Sequence, residues 1–184
     1  MEKRQDLRVQ KTQKALAKAM FSLLSSIPFP KITINDICTE ALVSRSAFYS
    51  HFTDKYSLLQ FCMGILKENL FQRSQEMPFR ERIYFVINHI KDDARTFKNL
   101  MMAELDIELL RMLRLSFLED LKILLDKKDF EKEQTLPGPV ELLSVYYSSA
   151  ITSTITFWIS ENMKYTVDEM AEFLCALLPE HIVE

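Results

Sequence analysis

Between Ser44 and Phe52 the chain reads S-R-S-A-F-Y-S-H-F, and this run concentrates side chains suited to reading a polyanion. Arg45 carries fixed N–H donors that can pair two acceptors at once. Ser46, Ala47 and Ser50 are small, and Tyr49 and His51 end in polar atoms. On a helical wheel Phe48 and Phe52 fall together and can anchor the segment inward, which leaves the others on the remaining arc. A helix of about eight residues is marginal alone in water. So little apolar anchorage suits a surface reserved for another molecule. Small side chains allow close approach to base edges in a DNA major groove. There Arg45 suits guanine, a pairing worth about 1–3 kcal/mol of discrimination, and Ala47 suits a thymine methyl. Tyr49, His51 and Lys55 can reach backbone phosphates, the last with a helix N-terminus beneath it.

No catalytic arrangement competes with this one. The histidines, at 51, 89 and 181, are far apart, and His89 beside Asp92 and Asp93 reads as a surface or packed residue. The cysteines, at 38, 62 and 175, form an odd, scattered trio with neither metal-ligand spacing nor a disulfide framework. There is no H-E-x-x-H, no Gly-rich phosphate loop and no nucleophile elbow. An enzyme, a cofactor or a metal site is therefore not expected. Glu104, Asp106 and Glu108 read as a solvated face, the alternative being a cation or a partner protein.

The elements that must position the short helix are helices. Two glycines in 184 residues are too few for the tight turns of a β-rich fold. A first helix is predicted from about Gln5 to Ser26, with Val9, Leu16, Met20, Leu23 and Leu24 on one arc and Arg4, Arg8, Lys11, Lys14 and Lys18 opposite. Pro28 and Pro30 turn the chain. Thr33 then caps a helix over 34–41, with Asp36 three residues on. After Leu42-Val43, Ser44 caps the short helix, and Thr53 or Asp54 caps the next, from Lys55 to about Gln75. Further helices are expected at about 79–94, 96–102, 104–129, 139–162 and 167–179. Pro137-Gly138-Pro139 breaks the chain, and Thr166 with Glu169 forms a capping box. Two helices joined by so short a turn make a helix-turn-helix, whose second helix enters the major groove.

The run from Thr33 to Leu59, T-I-N-D-I-C-T-E-A-L-V-S-R-S-A-F-Y-S-H-F-T-D-K-Y-S-L-L, resembles the helix-turn-helix of the tetracycline-repressor-like (TetR) regulators. Thr33, Ile37, Ala41, Val43, Ser44, Phe48, Tyr49, His51, Phe52, Lys55 and Leu58 match that pattern, which covers about a quarter of the chain. The resemblance implies an all-α protein, with a three-helix head joined by a long helix to a helical ligand-binding and dimerisation domain. It implies a homodimer on a pseudo-palindromic operator, with recognition helices about one DNA turn, roughly 34–36 Å, apart or somewhat more. Carried over by position, Thr33, Tyr49, His51 and Lys55 contact phosphates, Arg45, Ser46 and Ala47 face bases, and Ser44 caps the recognition helix and touches a phosphate. Two departures stand out. Leu42 replaces the turn glycine, so the turn is reshaped or Leu42 packs to compensate. Ala47 replaces a frequent threonine.

Charge supports the division of labour. Residues 1–56 hold nine Lys/Arg against five acids, and the remainder fourteen against twenty-one. A basic front and an acidic back suit one end that meets a polyanion and one that avoids it. The expected boundaries are 1–54 for the DNA-binding head and 55–184 for the regulatory and dimerisation domain. From Leu142 to Ser160 nineteen residues carry no charge, enough for a membrane span. Eight are Ser or Thr and the flanks are Glu141 and Glu161, so a buried helix is expected instead. Ile151, Ile155 and Trp158 on that helix, with Phe173 and Leu177 on the last, are the expected dimer contacts. Met101, Met102, Phe117, Tyr146 and Tyr147 are candidates for a ligand pocket, alongside Met112. The charged N-terminus does not read as a secretory signal, and a cytoplasmic location fits. The expected function is a ligand- or signal-responsive regulator, most often a repressor in the resembled family. The alternative is a coactivator or interaction module on the same scaffold, with a protein effector.

Overall fold

The computed structural model describes residues 2–72, 77–101, 111, 114–123 and 138–178, with side chains from residue 7 onward except 71 and 72. Met102, Met112, Glu104, Asp106, Glu108, His181 and most of the helix expected at 104–129 lie outside them. The described chain is helical, without a strand. It divides into two compact units, Met1–Leu66 with Arg95–Leu105, and Lys67–Ala94 with Asp106–Glu184.

In the first unit, α1 spans Glu2–Leu24. Leu16, Met20 and Leu24 are buried while Arg8, Lys11, Lys14 and Lys18 are exposed, so the predicted arc is the packed face. Pro28 caps a 3₁₀ turn, Phe29–Lys31, and Pro30 lies within it. α2 (Ile34–Ala41) and α3 (Arg45–Tyr49) come next, then α4 (Lys55–Lys67), which passes into a π-helical turn at Glu68–Gln72. Leu58, Leu59, Cys62 and Met63 of α4 are buried, and the Cys62 thiol reaches Ala17 O at 4.0 Å. Burial pushes that thiol up to about 12. α4 thus buries its apolar side within this unit. α6 (Ala94–Met101) buries Phe97 and Leu100, and Asn99 Nδ2 donates to Leu24 O at 2.8 Å, satisfying a carbonyl in the last turn of α1.

The second unit contains α5 (Phe79–Asp92), a helical stretch at 114–123 (α7), α8 (Val140–Ser160) and α9 (Val167–Ala176). α5 packs along α9, burying Ile83, Val86, Ile87 and Ile90, with Met170, Ala171 and Leu174 of α9 also buried. Thr166 and Glu169 form the expected capping box of α9. α8 ends through Asn162 (φ 58°) and Met163 (φ 54°), and Met163 N–H returns to Trp158 O at 2.8 Å. Arg82 forms a buried ion pair with Asp120 at 2.7 Å. Burial raises the Asp120 carboxyl, although the guanidinium opposes the shift. Among the described residues no helix is long and apolar enough to cross a membrane.

Candidate nucleic-acid interface

The interface begins with two caps. Thr33 Oγ1 accepts from Asp36 N–H at 3.2 Å, and the Asp36 carboxylate accepts from the Thr33 hydroxyl at 2.7 Å and backbone N–H at 2.9 Å. These bonds, the hydroxyl's first, hold the Asp36 carboxyl below its ordinary range. The box fixes the first turn of α2 with Thr33 exposed at its tip. Ser44 Oγ accepts from Ala47 N–H at 3.1 Å and starts α3. Asp54, not Thr53, caps α4, accepting from Ser57 N–H at 2.7 Å.

Between the first two caps lies the turn. Leu42 has φ 55° and ψ 40°, and its N–H bonds to carbonyls of Cys38 and Thr39. Val43 N–H returns to Cys38 O at 3.0 Å. The turn is therefore not reshaped, and Leu42 does not pack to compensate, since 93 % of it is exposed.

α3 is five residues long, shorter than the 44–52 run predicted, because its bonding tightens at its end: His51 N–H bonds to Phe48 O at 2.9 Å, an i→i+3 step. Phe48 is fully buried and Phe52 nearly so, their ring centroids 5.9 Å apart, with Phe61 of α4 5.6 Å beyond Phe52. Arg45, Ser46, Tyr49 and Ser50 are exposed, and Ala47 and His51 half-buried. Ser50 Oγ turns back to Ala47 O at 2.7 Å, which occupies its proton. Tyr49 packs edge-on against Phe48 at 5.4 Å and keeps half its surface open. The result is a small outward face with one fixed cation, shaped for a groove lined with acceptors.

Lys55, expected at a phosphate, is engaged within the chain. Its ammonium donates to Phe29 O at 3.1 Å, Pro30 O at 3.1 Å and Ile32 O at 2.8 Å, and lies 4.7 Å from the Phe29 ring centroid. Partial burial lowers its pKa. The sequence motif that contains Lys55 carries no signal for this arrangement.

In the second unit Ile151, Ile155 and Trp158 lie in the protomer's own core, Trp158 fully buried with Nε1 donating to Tyr165 O at 2.8 Å. That corrects their assignment to a dimer contact: the wheel of α8 is apolar all round, and these three took the inner side. Phe173 and Leu177 are exposed, and Leu142, Val145, Tyr146 and Phe157 join them on outer surfaces. A cavity of about 560 Å³ lies between α8 and α9, lined by Ser153, Phe157, Tyr165, Met170 and Phe173 among others. Of the pocket candidates, Phe117 is closed in the core 6.4 Å from Phe79, while Tyr146 stands on the outer side of α8. Met101 and Tyr147 are half-buried.

Residues 16–61 match the family described as bacterial regulatory proteins, tetR family, and residues 79–180 match the transcriptional regulator C-terminal region of TetR proteins. The chain is 23% identical over 124 residues to the HTH-type dhaKLM operon transcriptional activator DhaS of Lactococcus lactis. That alignment spans 67% of this chain and 63% of the relative, under two thirds of its length. A TetR transcriptional regulator from Streptococcus agalactiae 2603V superposes with a TM-score of 0.70 at 24% identity, over 96% of this chain and 98% of that one. The structure of the dihydroxyacetone kinase operon activator DhaS gives 0.74 at 17%, over 93% and 96%. These structural likenesses show the shared fold.

Proposed function

The chain belongs to the TetR family of bacterial transcriptional regulators, and on that basis we propose that it acts as a homodimer on a pseudo-palindromic DNA operator. Arg45, Ser46 and Ala47 face base edges, and Thr33, Ser44, Tyr49 and His51 meet the backbone. The observation that carries this reading is the two-sidedness of α3: Phe48 is fully buried while Arg45, Ser46 and Tyr49 are exposed. The functional division falls at the start of α4, with residues 1–54 meeting DNA and 55–184 regulating and dimerising. The exposed Phe157, Phe173 and Leu177 support pairing through α8 and α9, because apolar side chains of that size are covered in a stable oligomer.

Repression released by a ligand is the mode that the family resemblance favours. A second reading, activation with a protein effector, is supported by the similarity to the dhaKLM operon activator. Selection from random duplex pools at two salt concentrations tests the common part. An enriched inverted repeat with a steep salt slope is expected. Unselective binding would refute it.

A further inference from the structure

We infer that Lys55 is a positioning residue: its ammonium pins the α1–α2 connection, and thereby the capped start of α2, and does not bind the DNA backbone. The consequence for DNA rests on the operator-binding reading above, but the pinning itself does not.

The connection needs such a pin. Pro28 and Pro30 supply no N–H, and the 3₁₀ turn holds itself by two backbone bonds, Lys31 N–H to Pro28 O at 2.9 Å and Ile32 N–H to Phe29 O at 3.1 Å. The carbonyls of Phe29, Pro30 and Ile32 converge on one point, and the Lys55 ammonium occupies it at 3.1, 3.1 and 2.8 Å. An ammonium has three N–H donors, and three carbonyls use them all. The faces of Phe29 and Tyr56 flank the same charge at 4.7 and 5.8 Å, and these rings pack edge-on at 5.3 Å. Ile32 immediately precedes Thr33, the cap of α2, and α2 is the helix against which α3 packs. Lys55 is the first residue of α4. One side chain therefore ties the start of α4 to the start of α2. Turning towards a phosphate would break three charge-assisted bonds and strand carbonyls that prolines cannot help to satisfy. A planar guanidinium cannot aim its donors at one convergent point as a compact ammonium does.

Competitive lysine acetylation of the intact protein, read by mass spectrometry with and without its selected operator, tests this directly. Lys55 is expected to label at least about tenfold more slowly than Lys11, Lys14 and Lys18 in the free protein, with no further slowing on DNA. Free labelling like that of Lys18, with protection appearing only on DNA, would overturn the inference. Variants give the second reading. Lys55→Met and Lys55→Arg are both expected to lower the denaturation midpoint by about 3 °C or more. In Lys55→Met the salt slope of operator binding stays unchanged. A phosphate ligand would behave otherwise: Lys55→Arg would keep the wild-type midpoint, and Lys55→Met would reduce the slope by about one. If the wild type selects no DNA, the operator reading fails, while free-protein labelling and the midpoints still decide the role of Lys55.

Discussion

Leu42 is disfavoured twice by its position. A left-handed backbone costs an L-residue about 1–2 kcal/mol, and its side chain, almost wholly exposed, recovers nothing by packing. Leu42→Gly should therefore raise stability by about 0.5–1 kcal/mol, the relieved strain less the extra freedom of glycine in the unfolded chain. Urea denaturation checks this, and a loss of stability would mean that the leucine has a contact in solution. Ser44→Ala is expected to cost about 1 kcal/mol through the lost bond to Ala47 N–H. Single residues of this kind are readable from sequence where a local rule governs them. Thr33, Ser44 and Thr166 are caps because each stands directly before a helical pattern whose third residue turns its N–H back to the cap. Lys55 was not readable, because its partners lie 23 to 26 positions back and only the folded turn makes them converge.

At the scale of elements, α3 depends on one ring. Phe48 is fully buried, and Phe48→Ala should cost about 3–5 kcal/mol and abolish DNA binding with the fold of the head. The capping boxes of α2 and α9 make stability sensitive to acid. Bonds from Thr33 and Thr166 hold the Asp36 and Glu169 carboxyls below their ordinary values. Their contribution is complete above the ordinary carboxylate range and is lost as pH falls through the lower folded values. Asp36→Asn with Glu169→Gln should flatten the loss of stability on going below about pH 4.5, measured by thermal melts across pH. Asp120 has the opposite sign. Its raised carboxyl makes stability fall as pH rises from the ordinary value through the folded one. Among the described residues, helix positions came from period and punctuation to within a few residues. The inward side of α8 did not, since a helix apolar all round gives periodicity nothing to choose between. Ile151, Ile155 and Trp158 faced the core, and Leu142, Tyr146 and Phe157 were left outside.

For the whole molecule, pairing of subunits is the property on which operator recognition rests, because one short helix reads too few bases to select a site. Phe173→Asp combined with Leu177→Asp, both on exposed positions, should give folded monomers in sedimentation with unchanged helicity. Trp158→Asp should instead unfold the protein, since it places a charge in the core. A stable dimer of the first variant would move the interface elsewhere. The basic head and acidic remainder were legible from charge alone. The effector was not, because a pocket is made by residues distant in sequence, and of the candidates Phe117 is closed in the core while Tyr146 is exposed. Whether α3 reads bases as one of a symmetric pair is decided by operator selection with wild type and Arg45→Ala side by side. An inverted repeat is expected for the wild type, with preference relaxed in the variant at one base-pair position in each half-site and retained at the others. An unchanged preference in Arg45→Ala, or a wild-type site without two-fold symmetry, would show that α3 does not read DNA in this way.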